Sequence, residues 1–293
     1  MQRFHNNSAD SAFHNTADRT FDSASDNSHS HGISPDASHD VSPDASHDVS
    51  ADASHDVPHN DNASFRASAR AAGSFSSQVI GVDFRHPGQP EAGAIQRAAE
   101  VVKRGGLLIF PTDTVYGLGC SAFHEPALER IFSLKERPLG KPLPVLVSGL
   151  EQLTCLIRGP VSPLAKKVIR EFWPGALTLI FPASDRIPDL ITAGTKTIGV
   201  RMPGCQSILD LITLTRLPLA ATSVNISGMP VVQEMSRLIA EWAPKVDLIL
   251  VGGTGGIAST VIDLTVHPPK LLREGAISAK KLQRYLSPDP GPD

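Results

Sequence analysis

Two cationic side chains, Lys135 and Arg137, lie at the end of a predicted helix over residues 126–136. Lys135 comes four residues after Ile131 and seven after Leu128, so it projects from the same face as these apolar residues. A lysine there either extends to the rim of a cleft or points into the cleft. The alternative is a solvated helix end, where cations interact favourably with the helix dipole. The spacing makes both side chains candidates for binding an anion.

A second polar pair, Ser223 and Asn225, directly follows a predicted apolar strand over residues 219–222. In open α/β sheets, ligand-binding groups gather at the ends of strands, so this pair is a candidate for the same site. Serine and asparagine also favour turns, and a purely structural turn is the alternative. Asn225 also begins a formal glycosylation sequon, but the sequence shows no apolar secretion signal that would expose it to glycosylation.

Phosphate binding, if it occurs, needs separate side chains, because the sequence contains no G-x-x-x-x-G-K-[ST] loop. The glycine-rich run over residues 252–256 has no lysine after it and is predicted to be a flexible connection. Arg201 and Arg273 each stand at the end of a predicted strand or in its loop, and an arginine fork can hold two phosphate oxygens. Residues 112–116 follow another predicted strand, and their hydroxyl groups could form either a binding loop or a polar turn with a packed tyrosine.

Six segments of the sequence together resemble the YrdC-like family, whose members make threonylcarbamoyl-AMP for the modification of tRNA. In chain order they read PTDTVYGLG (111–119), KERP (135–138), TIGVRMP (197–203), SVN (223–225), STVID (259–263) and LREG (272–275). The resemblance implies an α/β fold with a twisted, mixed open sheet, flanking helices and a concave ligand-binding face. It also implies a nucleotidyltransferase that joins L-threonine, bicarbonate and ATP and releases pyrophosphate. The sequence lacks the long C-terminal extension of larger members, which predicts the short, single-domain branch.

The resemblance implies roles for individual residues. A tetrad that marks active synthases in the family and contacts the nucleotide phosphates corresponds to Lys135, Arg137, Ser223 and Asn225. Further implied contacts are Thr197 and Arg273 for the nucleotide, Arg201 for the threonine carboxylate, and Thr112, Tyr116 and Ser259 for the threonine pocket. Some relatives have a histidine near the position of Leu146, whereas this sequence reads KPLPVLV over residues 141–147, so other groups must replace it.

Magnesium is expected with ATP, held mostly by phosphate oxygens and water. The product is expected to pass to a transferase complex that acts on tRNA, and direct contact with tRNA or double-stranded RNA stays open. One alternative is an RNA-binding module without synthase activity, which the complete tetrad argues against. Another is the carbamoyl-transferring domain of hydrogenase maturation factors, which the three scattered cysteines and the lack of an added domain argue against. Cytoplasmic localisation without a membrane span is the expectation.

These residues must be positioned by an alternation of helices and strands, which the hydrophobic pattern predicts. Helices are predicted over residues 91–104, 126–136, 163–172, 208–213, 235–241 and 278–286. Strands are predicted over residues 107–110, 143–147, 176–181, 197–202, 219–222, 248–251 and 260–264. Such alternation indicates a sheet with helices packed against it, although the pattern does not determine the order of the strands.

Residues 1–77 differ in composition from the rest of the chain. They contain 11 Asp, 8 His and 4 Arg, almost no aliphatic residues, and three copies of an octapeptide, SPDASHDV twice and SADASHDV once. Burial cannot offset chain entropy in such a segment, so a disordered, solvated tail is predicted. The repeated histidines could alternatively bind a metal weakly.

One catalytic domain is predicted over residues 78–287, followed by a disordered end at 288–293. The sequence after residue 77 carries 23 Lys and Arg against 19 Asp and Glu. This mildly basic balance fits an anionic small ligand but does not by itself indicate a nucleic-acid surface. The cysteines, at 120, 155 and 205, match no zinc or disulfide spacing and are interpreted as core residues.

Overall fold

The computed structural model describes residues 79–81, 93–232 and 234–287. Within these ranges ten strands form one twisted sheet in the order β1-β8-β2-β3-β7-β4-β6-β5-β9-β10, which combines parallel and antiparallel pairs. The predicted mixed open α/β sheet is therefore confirmed. The strands are β1 Val79–Gly81, β2 Leu108–Phe110, β3 Gly117–Ser121, β4 Val145–Leu146, β5 Leu177–Pro182, β6 Thr197–Arg201, β7 Leu219–Ser223, β8 Leu248–Val251, β9 Thr260–Asp263 and β10 Lys270–Arg273.

Helices connect most of the strands, and local sequence explains where several of them begin. The helix α4, for example, starts with Pro163 directly after Ser162, whose hydroxyl accepts a hydrogen bond from the Ala165 N–H at 3.1 Å. The helices are α1 Ala94–Lys103, α2 Glu125–Leu134, α3 Leu150–Leu156, α4 Pro163–Phe172, α5 Asp189–Thr192, α6 Gln206–Thr215, α7 Met235–Trp242 and α8 Ala279–Leu286, with a 3-10 turn at Ala243–Lys245.

The structure corrects several predicted boundaries. The helix predicted over 126–136 ends at Leu134, because the chain turns before Pro138, and Glu136 adopts a left-handed conformation with φ of 50°. The strand predicted over 143–147 is only two residues long. Strand β3 was not predicted, because glycine is depleted in strands and β3 contains two. Its Gly119 is required by close packing, since a Cβ there would lie 2.5 Å from the carbonyl oxygen of Ala220.

Two separate apolar clusters cover the two faces of the sheet. One face carries the larger cluster, which includes buried residues of α2, α3, α4, α7 and α8. The other face carries a smaller cluster built by α1 and α6 against β1, β2, β4, β7 and β8. Strands β5, β6, β9 and β10 contribute no residue to this smaller cluster. On that face, the half of the sheet formed by these four strands is therefore left available for a ligand.

A row of paired residues crosses this available half of the sheet. The strand register pairs Leu146 with Arg201, Thr178 with Val261, and Val261 with Arg273. The antiparallel register of β5 and β6, which pairs residue 179 with residue 200, brings Thr178 beside Arg201 one step further. Side chains of directly paired residues share a face. The two predicted ligand-binding arginines therefore lie on the same surface.

Some predictions lie beyond the reach of the structure. The tail over residues 1–77 with its octapeptide repeats, and the end at 288–293, are outside the described residues. Within the part that is described, no helix is both long and apolar enough to cross a membrane.

Candidate functional site

Lys135, in the motif KERP, contacts the motif SVN, which begins 88 residues later in the sequence. Its side chain is only 1% exposed, and its ammonium donates hydrogen bonds to the backbone oxygens of Ser223 at 2.5 Å and Asn225 at 2.6 Å, and to Asn225 Oδ1 at 3.0 Å. Three oxygen acceptors match the three N–H donors of a charged lysine. The side chain points inward, so the solvated helix end is excluded for Lys135.

Arg137 contacts the loop that leads into β4. Its Nε donates to the carbonyl oxygen of Lys141 at 3.2 Å and its Nη2 to that of Pro142 at 2.7 Å. The side chain is half-buried. Two of its five N–H donors are thus used to hold the loop, and the other three have no protein acceptor among the described residues.

Ser223 and Asn225 form a hydrogen-bonded turn over Lys135. The Ser223 hydroxyl donates to Asn225 Oδ1 at 2.7 Å, and Asn225 Nδ2 donates to the carbonyl oxygen of Met229 at 2.6 Å. The backbone N–H of Ser227 also donates to the carbonyl oxygen of Lys135 at 2.8 Å. The four tetrad residues, Lys135, Arg137, Ser223 and Asn225, are called the lysine cluster below.

The lysine cluster carries positive charge without a compensating carboxylate. Burial, and to a smaller extent the charge of Arg137, lowers the pKa of Lys135 to about 8, and burial also lowers the pKa of Arg137. Neither side chain pairs with an acidic residue in the described part of the chain. A bound anion would stabilise both cations, so the cluster is suited to binding phosphate groups.

Arg201 is held in place by three groups. Its guanidinium, on a residue that is 6% exposed, donates to the carbonyl oxygen of Gly175 at 2.9 Å, to Thr114 Oγ1 at 2.8 Å and to Asp113 Oδ1 at 2.5 Å. Burial lowers the pKa of Arg201, while Asp113 acts in the opposite direction. Two N–H donors stay available for a carboxylate, but Asp113 already neutralises the charge.

Thr112 lies beside this arginine, yet its hydroxyl is saturated within its own loop. It donates to the carbonyl oxygen of Val115 at 2.7 Å, accepts from the Thr114 N–H at 3.1 Å, and is 2.9 Å from Thr114 Oγ1. Because its single hydrogen goes to Val115, Thr114 must be the donor between the two hydroxyls. The expected contact between the Thr112 hydroxyl and a substrate is therefore not available in this arrangement.

The hydroxyl of Tyr116 is likewise occupied within the protein. Its buried hydroxyl donates to the carbonyl oxygen of Gly252 and accepts from the Gly252 N–H at 2.9 Å. Burial raises the pKa of this hydroxyl, so it stays protonated. Tyr116 therefore anchors the start of the glycine-rich connection between β8 and β9. Gly255 in the same connection packs closely against residue 113, since a Cβ at Gly255 would lie 2.2 Å from the carbonyl oxygen of Asp113. The connection, which was predicted to be flexible, is therefore in contact with the protein at two points.

Ser259 and Arg273, both predicted from the sequence, form a hydrogen-bonded pair that also contacts one residue that was not predicted, Thr178. Arg273 donates from Nε to the backbone oxygen of Ser259 at 3.0 Å and from Nη2 to its hydroxyl at 3.1 Å. The Ser259 hydroxyl also shares a hydrogen bond of 2.9 Å with Thr178 on β5. Burial, followed by the charge of Arg201, lowers the pKa of Arg273, which indicates that the two guanidinium groups influence each other.

These residues, Asp113, Thr114, Thr178, Arg201, Ser259 and Arg273, are called the arginine–hydroxyl cluster below. Thr197 lies on the same strand as Arg201, four residues before it, and its hydroxyl is 2.9 Å from that of Thr195. The lysine cluster connects to this region through residues 112–116, because the Val224 N–H donates to the carbonyl oxygen of Tyr116 at 3.2 Å. The structure thus brings most of the predicted residues into two groups, which residues 112–116 connect.

Among the cavities between the described residues, two are prominent. One, of about 530 Å³, lies between residues 112–113, residues 204–206 and the glycine-rich connection, and Thr112 is the predicted site residue that lines it. The other, of about 1040 Å³, lies between α4, α8 and the turn after β9 and contains no predicted site residue. Apart from Thr112, the predicted site residues line neither of these two cavities.

Metal and thiol chemistry have little support within the described ranges. No group of three or more His, Cys, Asp or Glu side chains is placed to hold a metal ion there. Cys120 and Cys205 are buried, as predicted, and burial raises the pKa of each thiol to about 12. Cys155 is exposed, which corrects its assignment to the core.

Sequence reasoning missed Asp113 and Thr178. Asp113 is inside a quoted motif, but its partner Arg201 is 88 residues away, and only the fold brings the two together. Thr178 belongs to a strand that was predicted, and its place among apolar residues was the available signal. A threonine at an alternate position of a buried strand indicates either a hydrogen bond to a neighbouring strand or a ligand-facing position.

Comparison with known proteins shows where the chain has relatives. A family model for Sua5, YciO and YrdC, described as "Telomere recombination", matches residues 100–275. The threonylcarbamoyl-AMP synthase of Pyrococcus abyssi is 41% identical over 194 residues, which are 66% of this chain and 57% of that protein. The synthase of Bacillus subtilis is 38% identical over 197 residues, again 66% and 57% of the two chains.

Solved structures give a similar result. The crystal structure of P. abyssi Sua5 complexed with L-threonine matches with a TM-score of 0.66 and 39% identity, covering 71% of this chain and 60% of that one. The structure of Escherichia coli YciO matches with a TM-score of 0.63 and 29% identity, covering 69% of this chain and 98% of that one. The chain thus spans less than two thirds of the P. abyssi and B. subtilis synthases, but nearly all of YciO.

Proposed function

The chain belongs to the Sua5/YciO/YrdC family, and from this premise we propose that it is a threonylcarbamoyl-AMP synthase. The observation that carries the proposal is the hydrogen bonding of Lys135 to Ser223 and Asn225. These contacts bring a buried cation and a polar turn together in an arrangement that is suited to binding an anion. The two relatives named threonylcarbamoyl-AMP synthase support the same activity. The Sua5 structure with L-threonine supports threonine as the amino-acid substrate.

In the proposed reaction, the threonine amine and bicarbonate give an N-carboxylate and release water. An oxygen of this carboxylate attacks the α-phosphorus of ATP, and pyrophosphate leaves with the electron pair of the broken P–O bond. No covalent nucleophile of the protein is needed. The protein would act by positioning the two reactants and by neutralising negative charge on the phosphates.

The lysine cluster would bind the nucleotide phosphates. Lys135 already donates to three oxygens of the protein, so it would act on phosphate mainly through its buried charge, or by exchanging one of these acceptors. Arg137 keeps free donors and would make the direct phosphate contact. Thr197 on β6 and Arg273 on β10 would complete the nucleotide site.

The arginine–hydroxyl cluster, apart from Arg273, would bind threonine. Arg201 has two N–H donors without an acceptor among the described residues, and its charge is balanced by Asp113, so a zwitterionic amino acid would find little excess charge around Arg201. Ser259 would supply the hydroxyl contact. Thr112 and Tyr116 would shape the pocket through packing, because their hydroxyls are occupied.

Magnesium would arrive as the magnesium complex of ATP. The described residues offer no cluster of three acidic or imidazole ligands, and the Asp113 carboxylate is paired with Arg201. The chain therefore fits an ion that is coordinated by phosphate oxygens and water rather than one held by a protein cage. When bound, the ion would neutralise part of the phosphate charge.

The product would pass to a transferase that modifies adenosine in tRNA, and the reaction would take place in the cytoplasm. The test is an assay of pyrophosphate release by the full chain with Mg²⁺, ATP, L-threonine and bicarbonate, combined with mass spectrometry of the adenylate product. We expect release only when threonine and bicarbonate are both present. Release that does not depend on threonine, or the absence of any threonylcarbamoyl-AMP, would contradict the proposal.

A further inference from the structure

We propose that Thr178 is a positioning residue that fixes the hydroxyl of Ser259 as a hydrogen-bond donor to the amino-acid substrate. Thr178 belongs to none of the six sequence motifs, and although it is a member of the arginine–hydroxyl cluster, no role of its own is assigned to it above. The inference rests on the proposed function and deepens it, because it states how the side chain of the amino acid is recognised. A hydroxyl that can only donate outward selects substrates with an oxygen acceptor on the β-carbon.

Thr178 lies between the two arginines of the arginine–hydroxyl cluster. In the row of residues that crosses the sheet, Arg201 is on one side of Thr178 and Arg273 lies two strands away on the other side. Thr178 is 6% exposed and Ser259 is 8% exposed. Their hydroxyl oxygens are 2.9 Å apart, so the pair is buried at the base of the ligand-facing surface.

The hydrogen bonds of Ser259 leave one direction free. Arg273 can only donate, so its Nη2 occupies one lone pair of the Ser259 hydroxyl oxygen. The remaining groups are the second lone pair and the hydroxyl hydrogen of Ser259. One of them faces Thr178, and the other is left for a ligand.

The direction of the bond between the two hydroxyls follows from the surroundings of Thr178. The Ser259 oxygen is the one hydrogen-bond partner of the Thr178 hydroxyl among the described residues. If Ser259 donated, the Thr178 hydrogen would be buried without an acceptor in the protein, which costs about 1–3 kcal/mol. If Thr178 donates, its hydrogen is satisfied, and the hydrogen left without a protein acceptor among the described residues is that of Ser259, which a ligand oxygen can accept. With such a ligand bound, the second arrangement is the one that satisfies both hydrogens.

Ser259 then becomes the one hydroxyl donor available to the substrate among those predicted for the threonine pocket. Thr112 gives its hydrogen to Val115, and Tyr116 gives its hydrogen to Gly252. The charged donor Arg273 polarises the Ser259 hydroxyl and strengthens the hydrogen bond that it donates. Threonine and serine carry a β-oxygen that accepts this bond, whereas valine carries a methyl group that cannot.

The experiment compares Thr178→Val and Thr178→Ser with the unmodified full chain. Valine keeps the shape of the side chain and removes its hydroxyl, and serine restores the hydroxyl. We expect Thr178→Val to raise the KM for threonine about 5- to 20-fold, with kcat and the KM for ATP within about 2-fold, because an interaction common to ground state and transition state is lost. The preference for threonine over valine should fall by a similar factor, and Thr178→Ser should restore both values.

A matched control separates this effect from a loss of stability. Thr215 on α6 is also buried and donates its hydroxyl to backbone oxygens, but it lies at the far end of that helix from residues 204–206. Thr215→Val should lower the melting temperature about as much as Thr178→Val and leave both KM values unchanged. A normal KM for threonine in Thr178→Val, or an equal rise in both KM values, would overturn the inference.

The same measurements distinguish a failure of the proposed synthase activity from a failure of the inference about Thr178. If the unmodified chain binds threonine in calorimetry but makes no adenylate, the proposed function fails, and the ratio of threonine Kd values between Thr178→Val and the unmodified chain still decides the inference. If the unmodified chain makes the adenylate and Thr178→Val behaves like it, the inference alone fails. A chain that does not bind threonine at all contradicts both.

Discussion

The lysine cluster and the arginine–hydroxyl cluster both bury cations, but they differ in how the charge is balanced. In the first, the Lys135 ammonium donates to neutral oxygens and pairs with no carboxylate among the described residues. In the second, the Arg201 guanidinium forms an ion pair with Asp113. The first group therefore has a net positive charge, whereas in the second the charge of Arg201 is cancelled and Arg273, which is assigned to the nucleotide, is the cation that keeps its charge.

This difference matches the two reactants of the proposed reaction. ATP is a polyanion, so its site gains from a positive charge that only the ligand can neutralise. Threonine is a zwitterion, so its site needs hydrogen-bond geometry more than net charge. The comparison shows that the charge of each cluster can be changed independently, because each cation has its own set of hydrogen-bond acceptors.

The largest effect is expected from removing the balancing charge in the arginine–hydroxyl cluster. Asp113→Asn keeps an oxygen that can accept from Arg201 but leaves the buried guanidinium without its counter-charge, beside Arg273. Breaking a buried pair in this way should lower the free energy of unfolding by about 3 kcal/mol. Denaturant unfolding of the variant and the unmodified chain measures the difference.

The control for that variant is Asp185→Asn. Asp185 pairs with Arg158 on the surface, where the side chain of Asp185 is 87% exposed. Exposed pairs contribute little, so this change should alter the free energy of unfolding by less than about 0.5 kcal/mol. Equal effects of the two substitutions would mean that Asp113 does not balance a buried charge.

Much of the fold could be predicted from the sequence, because apolar periodicity shows directly which segments bury a face. This applies to α4, whose predicted bounds match the structure, and to β8. Short or glycine-containing elements could not be predicted in this way. Strand β3 was missed because of its glycines, and α5 is too short to show a period.

The individual residues of the site could be predicted, but the contacts between them could not. The motifs identified Lys135 and Arg201 as candidate site residues, because the residues around them match those of the family. Which atoms they contact depends on strand order and on partners about 90 residues away, and neither is encoded in local spacing. Tyr116 illustrates the limit, because its hydroxyl was expected to face a ligand and instead binds Gly252.

The next largest effect is expected from Lys135→Met. Methionine retains an unbranched apolar side chain but removes the three N–H donors and the charge, so the turn at Ser223 and Asn225 loses its support. A charge-assisted contact contributes roughly 1.5–3 kcal/mol, so the Kd for ATP should rise about 10- to 150-fold. Calorimetry with ATP tests this, and Lys166→Met, an exposed lysine on α4, should leave the Kd unchanged. ATP binding that is normal in Lys135→Met would remove the lysine cluster from the nucleotide site.

A third expectation concerns pH and again separates the two clusters. The pKa of Lys135 is lowered to about 8, so this side chain loses its proton as the pH rises through that value. Bound phosphate favours the charged form, which means that ATP affinity should be constant below pH 8 and fall above it, by up to tenfold per pH unit. Threonine affinity depends on arginines, which stay charged, so it should not share this loss up to about pH 9, where the threonine amine itself begins to titrate. Isothermal titrations between pH 6.5 and 9.5 measure both profiles.

In Lys135→Met the decline of ATP affinity above pH 8 should be absent. A decline that persists in this variant would have to come from another group.

The smallest effect is expected from deleting residues 1–76. These residues contain 11 Asp and the octapeptide repeats but none of the motifs that form the two clusters. A segment with so few aliphatic residues has little apolar surface to contribute to a packed core, so synthase activity should stay within about threefold of the full chain. The comparison is made with KM for ATP and KM for threonine measured separately in the truncated and full chains. An acidic tail that acted on the positively charged lysine cluster would change the KM for ATP and leave the KM for threonine, and this change would weaken with added salt. A deletion that alters neither constant would show that the contrast between the two clusters resides entirely in the residues that follow the tail.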